Sequence, residues 1–319
     1  MRLLLLIIII TNLFADYGGG YAGSGFRYSS NARDYALSGA SIADKTIGFY
    51  AFSNPALYNF TNSNQIGISF QTLSLDRSVE SYSFAKKLPP NAGIGLSILR
   101  SGTKNIQGRN TINEKTELFS AVETEGIISF GLGIGQKVAF GVNIKALFTS
   151  IYEDYKGNGI AADLGLIYKI SRHLYFGFLF KNINAKYNWK VVLGEDEHSY
   201  SEDFPQYYSF GFASSMIRGI SLYFQEDIIV SPSMDVNYRT RFGAEFKLKN
   251  KIKFRCGVKQ SSYAIKSDMI IDEIKMKPSL GFGLPFKMWS KQYIHLDYAL
   301  DLGFSNEGVS HLFSFSSQF

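Results

Sequence analysis

The stretch Tyr293-Ile294-His295-Leu296-Asp297-Tyr298-Ala299-Leu300-Asp301-Leu302 alternates with a period of two. Its even positions carry Ile, Leu, Tyr, Leu and Leu, and its odd positions after Tyr293 carry His, Asp, Ala and Asp. Side chains of a strand point alternately to opposite faces, so this is a strand with one apolar and one charged face. Beyond a turn region, His311 to Phe319 resumes the pattern with Phe313, Phe315 and Phe319 on one face. A soluble antiparallel sheet with one wet face gives such alternation, and so does a membrane barrel with a polar lumen. In a barrel the last strand pairs back to the first and leaves no edge unsatisfied in lipid. An alternating strand closing on Phe319 also has the form of the assembly signal of bacterial outer-membrane barrels.

Upstream the alternation recurs. Ile94, Leu96 and Ile98 oppose Gly93, Gly95 and Ser97; Ile128, Phe130, Leu132 and Ile134 oppose Ser129, Gly131 and Gly133. Val138, Phe140, Val142 and Ile144 oppose Gly141, Asn143 and Lys145, while Leu164 and Leu166 oppose Asp163 and Gly165. Phe242, Ala244 and Phe246 oppose Arg239, Arg241, Gly243 and Glu245; Phe254, Cys256 and Val258 oppose Lys253, Arg255 and Gly257. Glu226 is an exception, since it falls on an apolar face. The pattern predicts about 14 strands beginning near residue 63. Short connections near 88–91, 135–137, 171–173, 216–219, 249–251 and 287–291 alternate with longer ones near 101–117, 152–159, 188–206, 231–237, 261–273 and 303–309. Short periplasmic turns and long outward loops are the rhythm of a membrane barrel. The predicted fold is an all-β, transmembrane, antiparallel up-and-down barrel in a bacterial outer membrane, with both mature termini in the periplasm.

Composition agrees: 20 Tyr, 27 Phe and 30 Gly among 319 residues suit aromatic girdles and small lumen residues. Met1-Arg2 followed by the apolar run Leu3 to Ile10 reads as a signal peptide spanning 1–15, too short to cross a bilayer. The single Cys256 excludes an intramolecular disulfide framework. A net charge of +6 is dispersed with no basic aromatic stripe, so nucleic acid is not an expected partner. Residues 16–62 differ from the rest, being rich in Ala around 32–43 and punctuated by Asn54-Pro55. Their aromatics, Phe26, Tyr28, Tyr35, Phe49, Tyr50, Phe52 and Phe60 among them, need burial, and a barrel lumen offers it. Asp34 and Asp44 are their expected partners for lumen cations.

The run Ala32-Arg33-Asp34-Tyr35-Ala36-Leu37-Ser38-Gly39-Ala40, then Ala43-Asp44 and Asn54-Pro55-Ala56-Leu57, resembles the amino-terminal signature of the PorV/PorQ outer-membrane family, within the fatty-acid transporter (FadL) superfamily. Ala162-Asp163-Leu164-Gly165, Phe242-Gly243-Ala244-Glu245-Phe246 and Leu296-Asp297-Tyr298 resemble later family strands. Ser38 and Ser41 depart from the family's preferences. The resemblance implies a luminal hatch over 16–62, with Arg33, Asp34, Gly39, Asp44, Asn54 and Pro55 as its motif.

Catalysis finds weak support. His198 lies in an acidic outer loop, and His295 shares the lumen face with Asp297 and Asp301, but there is no nucleophile elbow, phosphate loop or zinc motif. No enzyme, cofactor or metal is expected. Lys145, Asp163, Arg239, Arg241, Glu245, Arg255, His295 and Asp297 are read as lumen charges. Outer-membrane lipid, lipopolysaccharide and the barrel-assembly machinery are expected partners. Two functions compete: an accessory of a type IX-like secretion system that meets secreted proteins or the secretion channel, and a channel for a hydrophobic ligand. The lumen cations Arg239, Arg241, Lys253 and Arg255 suit pairing with a hatch or anion passage better than a greasy tunnel, which tilts the reading to the first.

Overall fold

The computed structural model describes residues 21–152, 155–193, 196–248, 251–260, 263–264, 276–288, 292–301 and 309–319; the expected signal peptide lies outside them. Strands β1 (Gln65–Thr72), β2 (Arg77–Leu88), β3 (Ala92–Arg109), β4 (Lys115–Ile134), β5 (Val138–Ile151), β6 (Tyr155–Lys169) and β7 (Leu174–Ile183) pair in chain order, all antiparallel. A hairpin, β8 (Lys186–Leu193) and β9 (Asp196–Asp203), pairs through β8 with the start of β6, and β10 (Gln206–Ile217) returns to pair with β7. The wall continues through β11 (Ile220–Val230), β12 (Val236–Lys247), β13 (Lys253–Gln260), the short β14 (Tyr263–Ala264), β15 (Met276–Met288), β16 (Gln292–Asp301) and β17 (Ser310–Gln318). β17 pairs with both β16 and β1, so the sheet closes. With the hairpin and β14 set aside, the barrel has 14 strands.

Burial is inverted relative to a soluble protein. Leu96, Ile128 and Ile160 are 57%, 64% and 70% exposed on the outside, whereas Ser97, Ser129 and Asn143 inside are 3%, 1% and 0% exposed. Such an exterior belongs in hydrocarbon, where a closed ladder satisfies every backbone group. Phe313, Phe315 and Phe319 lie on that exterior. Glu226 stays on the outward face, half-buried, in register with Phe210 and Thr240.

Two expectations need correction. The stretches near 101–117 and 188–206 are not loops: β3 and β4 extend through most of the first, and β8 and β9 fill most of the second. Beyond the lipid both faces of a ribbon are wet, so apolar alternation disappears while the ladder persists. The described part of the amino-terminal segment, from Tyr21, also starts away from the short-turn rim where the mature amino terminus is expected. The Tyr21 hydroxyl lies 2.7 Å from Ser233 Oγ in the β11–β12 connection at the long-connection rim. From there the chain descends the whole lumen to Asn64, whose carbonyl accepts the Phe319 N–H at the other end.

Candidate functional site: the luminal segment and the cavity beside it

Two capped turns shape the segment. Helix α1 (Ala32–Ala36) starts where the Asn31 side chain accepts the Asp34 N–H, and a 3-10 turn (Pro55–Phe60) starts where Asn54 accepts the Ala56 N–H. Pro55 at the first position of that turn has no N–H to lose. Helix α2 (Tyr50–Ser53) lies between them. Asn54 is wholly buried, and its amide donates to the carbonyls of Leu166 and Phe178 in the wall.

The wall receives this segment on bare backbone. Gly93, Gly131, Gly141 and Gly165 are direct partners across β3, β4, β5 and β6, forming a band without side chains. A Cβ on Gly93 or Gly131 would meet Tyr58, one on Gly141 the backbone of Pro55 and Ala56, and one on Gly165 Asn54. The pairs Gly177–Gly211 and Gly243–Gly257 continue the band against Ile42 and Leu37. Glycine weakens a strand, and here each one admits a turn of the segment to van der Waals contact. Polar wall groups then meet the segment's backbone: Asn143 donates to the Ala51 carbonyl at 2.8 Å, Arg241 to Gly39 at 2.8 Å and Ser279 to Ala36 at 3.1 Å.

The charge pattern differs from the expected one. Asp44 pairs within the segment with Arg33 at 2.8 Å, and Asp34 accepts from Ser41 Oγ. The segment's own cation makes the contact with the wall: Arg33 pairs with Glu245, which also receives Arg255 at 2.7 Å. Arg255 reaches on to Asp297 at 2.6 Å across the side-chain-free Gly283. Asp163 pairs with Lys145 at 2.9 Å and accepts from Asn143, while Asp227 holds Arg239 and Arg241 at 3.0 and 2.5 Å. Alternation marks which residues face the lumen but not which cation meets which acid, so the polarity of the contact was illegible. The His295 constellation is not assembled either, because Asp297 is held by Arg255 and Asp301 by Lys277. His198 is exposed on β9.

At the outer rim the sequence reading missed Glu123. Its carboxylate accepts the Gly23 and Gly25 N–H groups and the Tyr187 hydroxyl. Burial, then the Glu123 charge, pushes the Tyr187 hydroxyl up, so it remains a donor. Phe204 stacks on Phe26 with centroids 6.3 Å apart, tying the hairpin to the segment. Between the segment and the wall lies a cavity of about 100 Å³. Ile47, Phe52, Leu99 and Leu179 give it an apolar side; Lys181, Asp227, Arg239 and Arg241 give it a charged one. Lys181 has no ion-pair partner among the described residues.

No family model and no curated protein sequence matches the chain. Solved structures do. The chain is similar to the CymD monoaromatic hydrocarbon channel (12% identity, TM-score 0.64, covering 94% of this chain and 99% of that one). It is similar to the Ralstonia pickettii toluene transporter TbuX (13%, 0.64, 91% and 98%) and to a Pseudomonas aeruginosa FadL homologue (12%, 0.65, 92% and 98%). The chain has their fold. That fold is a closed antiparallel barrel of a bacterial outer membrane.

Proposed function

We propose that the chain is a non-catalytic outer-membrane channel for small, mainly apolar molecules, with the segment 16–62 as its hatch. The observation that carries this reading is the cavity at the seam between segment and wall, apolar on one side and charged on the other, in a barrel that shares its fold with hydrocarbon channels. Its volume of about 100 Å³ is below the roughly 150 Å³ that holds benzene in an engineered apolar cavity. A ligand therefore enters as the segment's side chains shift. The test is uptake of labelled toluene, at low concentration, by cells whose other outer-membrane channels are deleted. The parent chain should raise uptake several-fold over an empty vector, and Leu179→Lys, which places a charge on the apolar side, should abolish the gain. Uptake no better than the empty vector would overturn the reading.

The secretion-accessory reading, with PorV/PorQ as the nearer kin, draws on the sequence resemblance and on the outer hairpin, where β9 presents His198, Ser199 and Tyr200 to solvent. Binding of a secreted carboxy-terminal domain by the purified barrel, together with no toluene uptake, would favour it. In both readings lipid, lipopolysaccharide and the assembly machinery are the barrel's partners.

A further inference from the structure

At the other end of the lumen, away from the proposed ligand cavity, a second cavity of about 270 Å³ lies at the short-turn rim. Arg33, Lys45, Lys253 and Arg255 line it with a single carboxylate, Asp297, and with His295. Two of the cations are well paired: Arg33 by Asp44 and Glu245, Arg255 by Glu245 and Asp297. The others are not. Lys253 has one ion-pair partner among the described residues, Glu245 at 3.7 Å, whose other oxygen already receives both guanidinium groups. Lys45 is exposed and, among the described residues, its ammonium meets Tyr175 alone, with Nζ 3.1 Å from the hydroxyl. His295 makes no hydrogen bond among the described residues and lies in the field of Lys253, Asp297, Arg33 and Arg255. Even with Asp44 and Glu245 counted from behind the lining, three carboxylates face four cations.

Register explains why these donors share one space. Lys253 lies opposite Gly283, Gly283 lies opposite Asp297, and His295 is two residues from Asp297 on the same inward face. The glycine leaves room for the Arg255–Asp297 pair between the strands, and Lys253 and His295 line the same cavity on either side of it. We infer that this mouth binds a small oxyanion of the phosphate class on Lys253, His295 and Lys45, with Arg33 and Arg255 as a fixed positive wall. An ammonium with three donors and an imidazole N–H suit a group with several acceptor oxygens. Free phosphate and the phosphate of a lipid headgroup present that same chemistry.

Equilibrium dialysis of the full chain, folded in neutral micelles, against labelled inorganic phosphate at constant ionic strength in chloride tests the site. The parent should bind saturably, and Lys253→Ala and His295→Ala should each weaken binding roughly tenfold, the loss of one charge-assisted hydrogen bond. Lys253→Arg should restore much of it. Lys137→Ala, which removes an exposed lysine from the β4–β5 turn at the same rim, should change nothing. Heat-modifiable gel mobility confirms that each variant is folded. Competition names the source: dihexanoyl phosphatidate displacing the label more strongly than free phosphate, with dihexanoylglycerol inert, indicates a lipid headgroup, and the reverse order indicates the free ion. Unsaturable binding, or a Lys137→Ala effect equal to that of Lys253→Ala, overturns the site.

Discussion

The glycine band in the lower lumen and the Glu123 anchor at the outer rim hold the same segment by opposite means. In the band, wall and segment meet in close contact, and the fit of glycine against backbone, with the Asn54 amide donating to the Leu166 and Phe178 carbonyls, fixes the 54–60 turn. At the rim a single long side chain reaches out to two amides and a tyrosine, and cavities remain around it. Contact through glycine leaves no freedom to adjust, whereas contact through a carboxylate can give way and re-form. The segment is thus fixed below and tethered above, which suits an element released from its outer end.

The largest effect is expected from removing the occupant altogether. Deletion of 22–58 should raise single-channel conductance while heat-modifiable mobility still reports a folded barrel; conductance equal to the parent's would mean that the segment does not obstruct the lumen. Next is Arg33→Met, which leaves Asp44 and Glu245 buried without their shared partner. Breaking a buried pair costs about 3–5 kcal/mol, so protease sensitivity within 21–62 should rise sharply, with the barrel itself resistant. Gly141→Val should cost about 1–3 kcal/mol through overpacking, because its side chain would meet the backbone of Pro55 and Ala56. Gly126→Ala is the matched comparison: nothing lies within 4 Å of its Cβ, so its unfolding midpoint in urea should stay near the parent's. Equal losses for the two would break the contrast between band and wall. A smaller loss than that of Gly141→Val belongs to Glu123→Gln, about 1 kcal/mol of weakened hydrogen bonding. Faster hydrogen exchange should then be confined to the 21–28 stretch, and exchange spreading to 50–60 would show that rim and band are not independent.

Strand number, inward and outward faces and the lipid-facing exterior were legible from the sequence because a period of two is a local property, imprinted wherever one face meets lipid and the other meets polar groups. Ser129, Asn143, Asp163 and Arg241 could be placed in the lumen for that reason. The tertiary structure alone decided that glycines from separate strands align into one band, because register between strands is set by pairing around the closed barrel. It alone decided that Arg33 rather than Asp34 or Asp44 reaches the wall, and that Glu123 captures a backbone about 100 residues away. Ion pairs across a lumen depend on distance in space, and alternation along a strand carries no information about that distance.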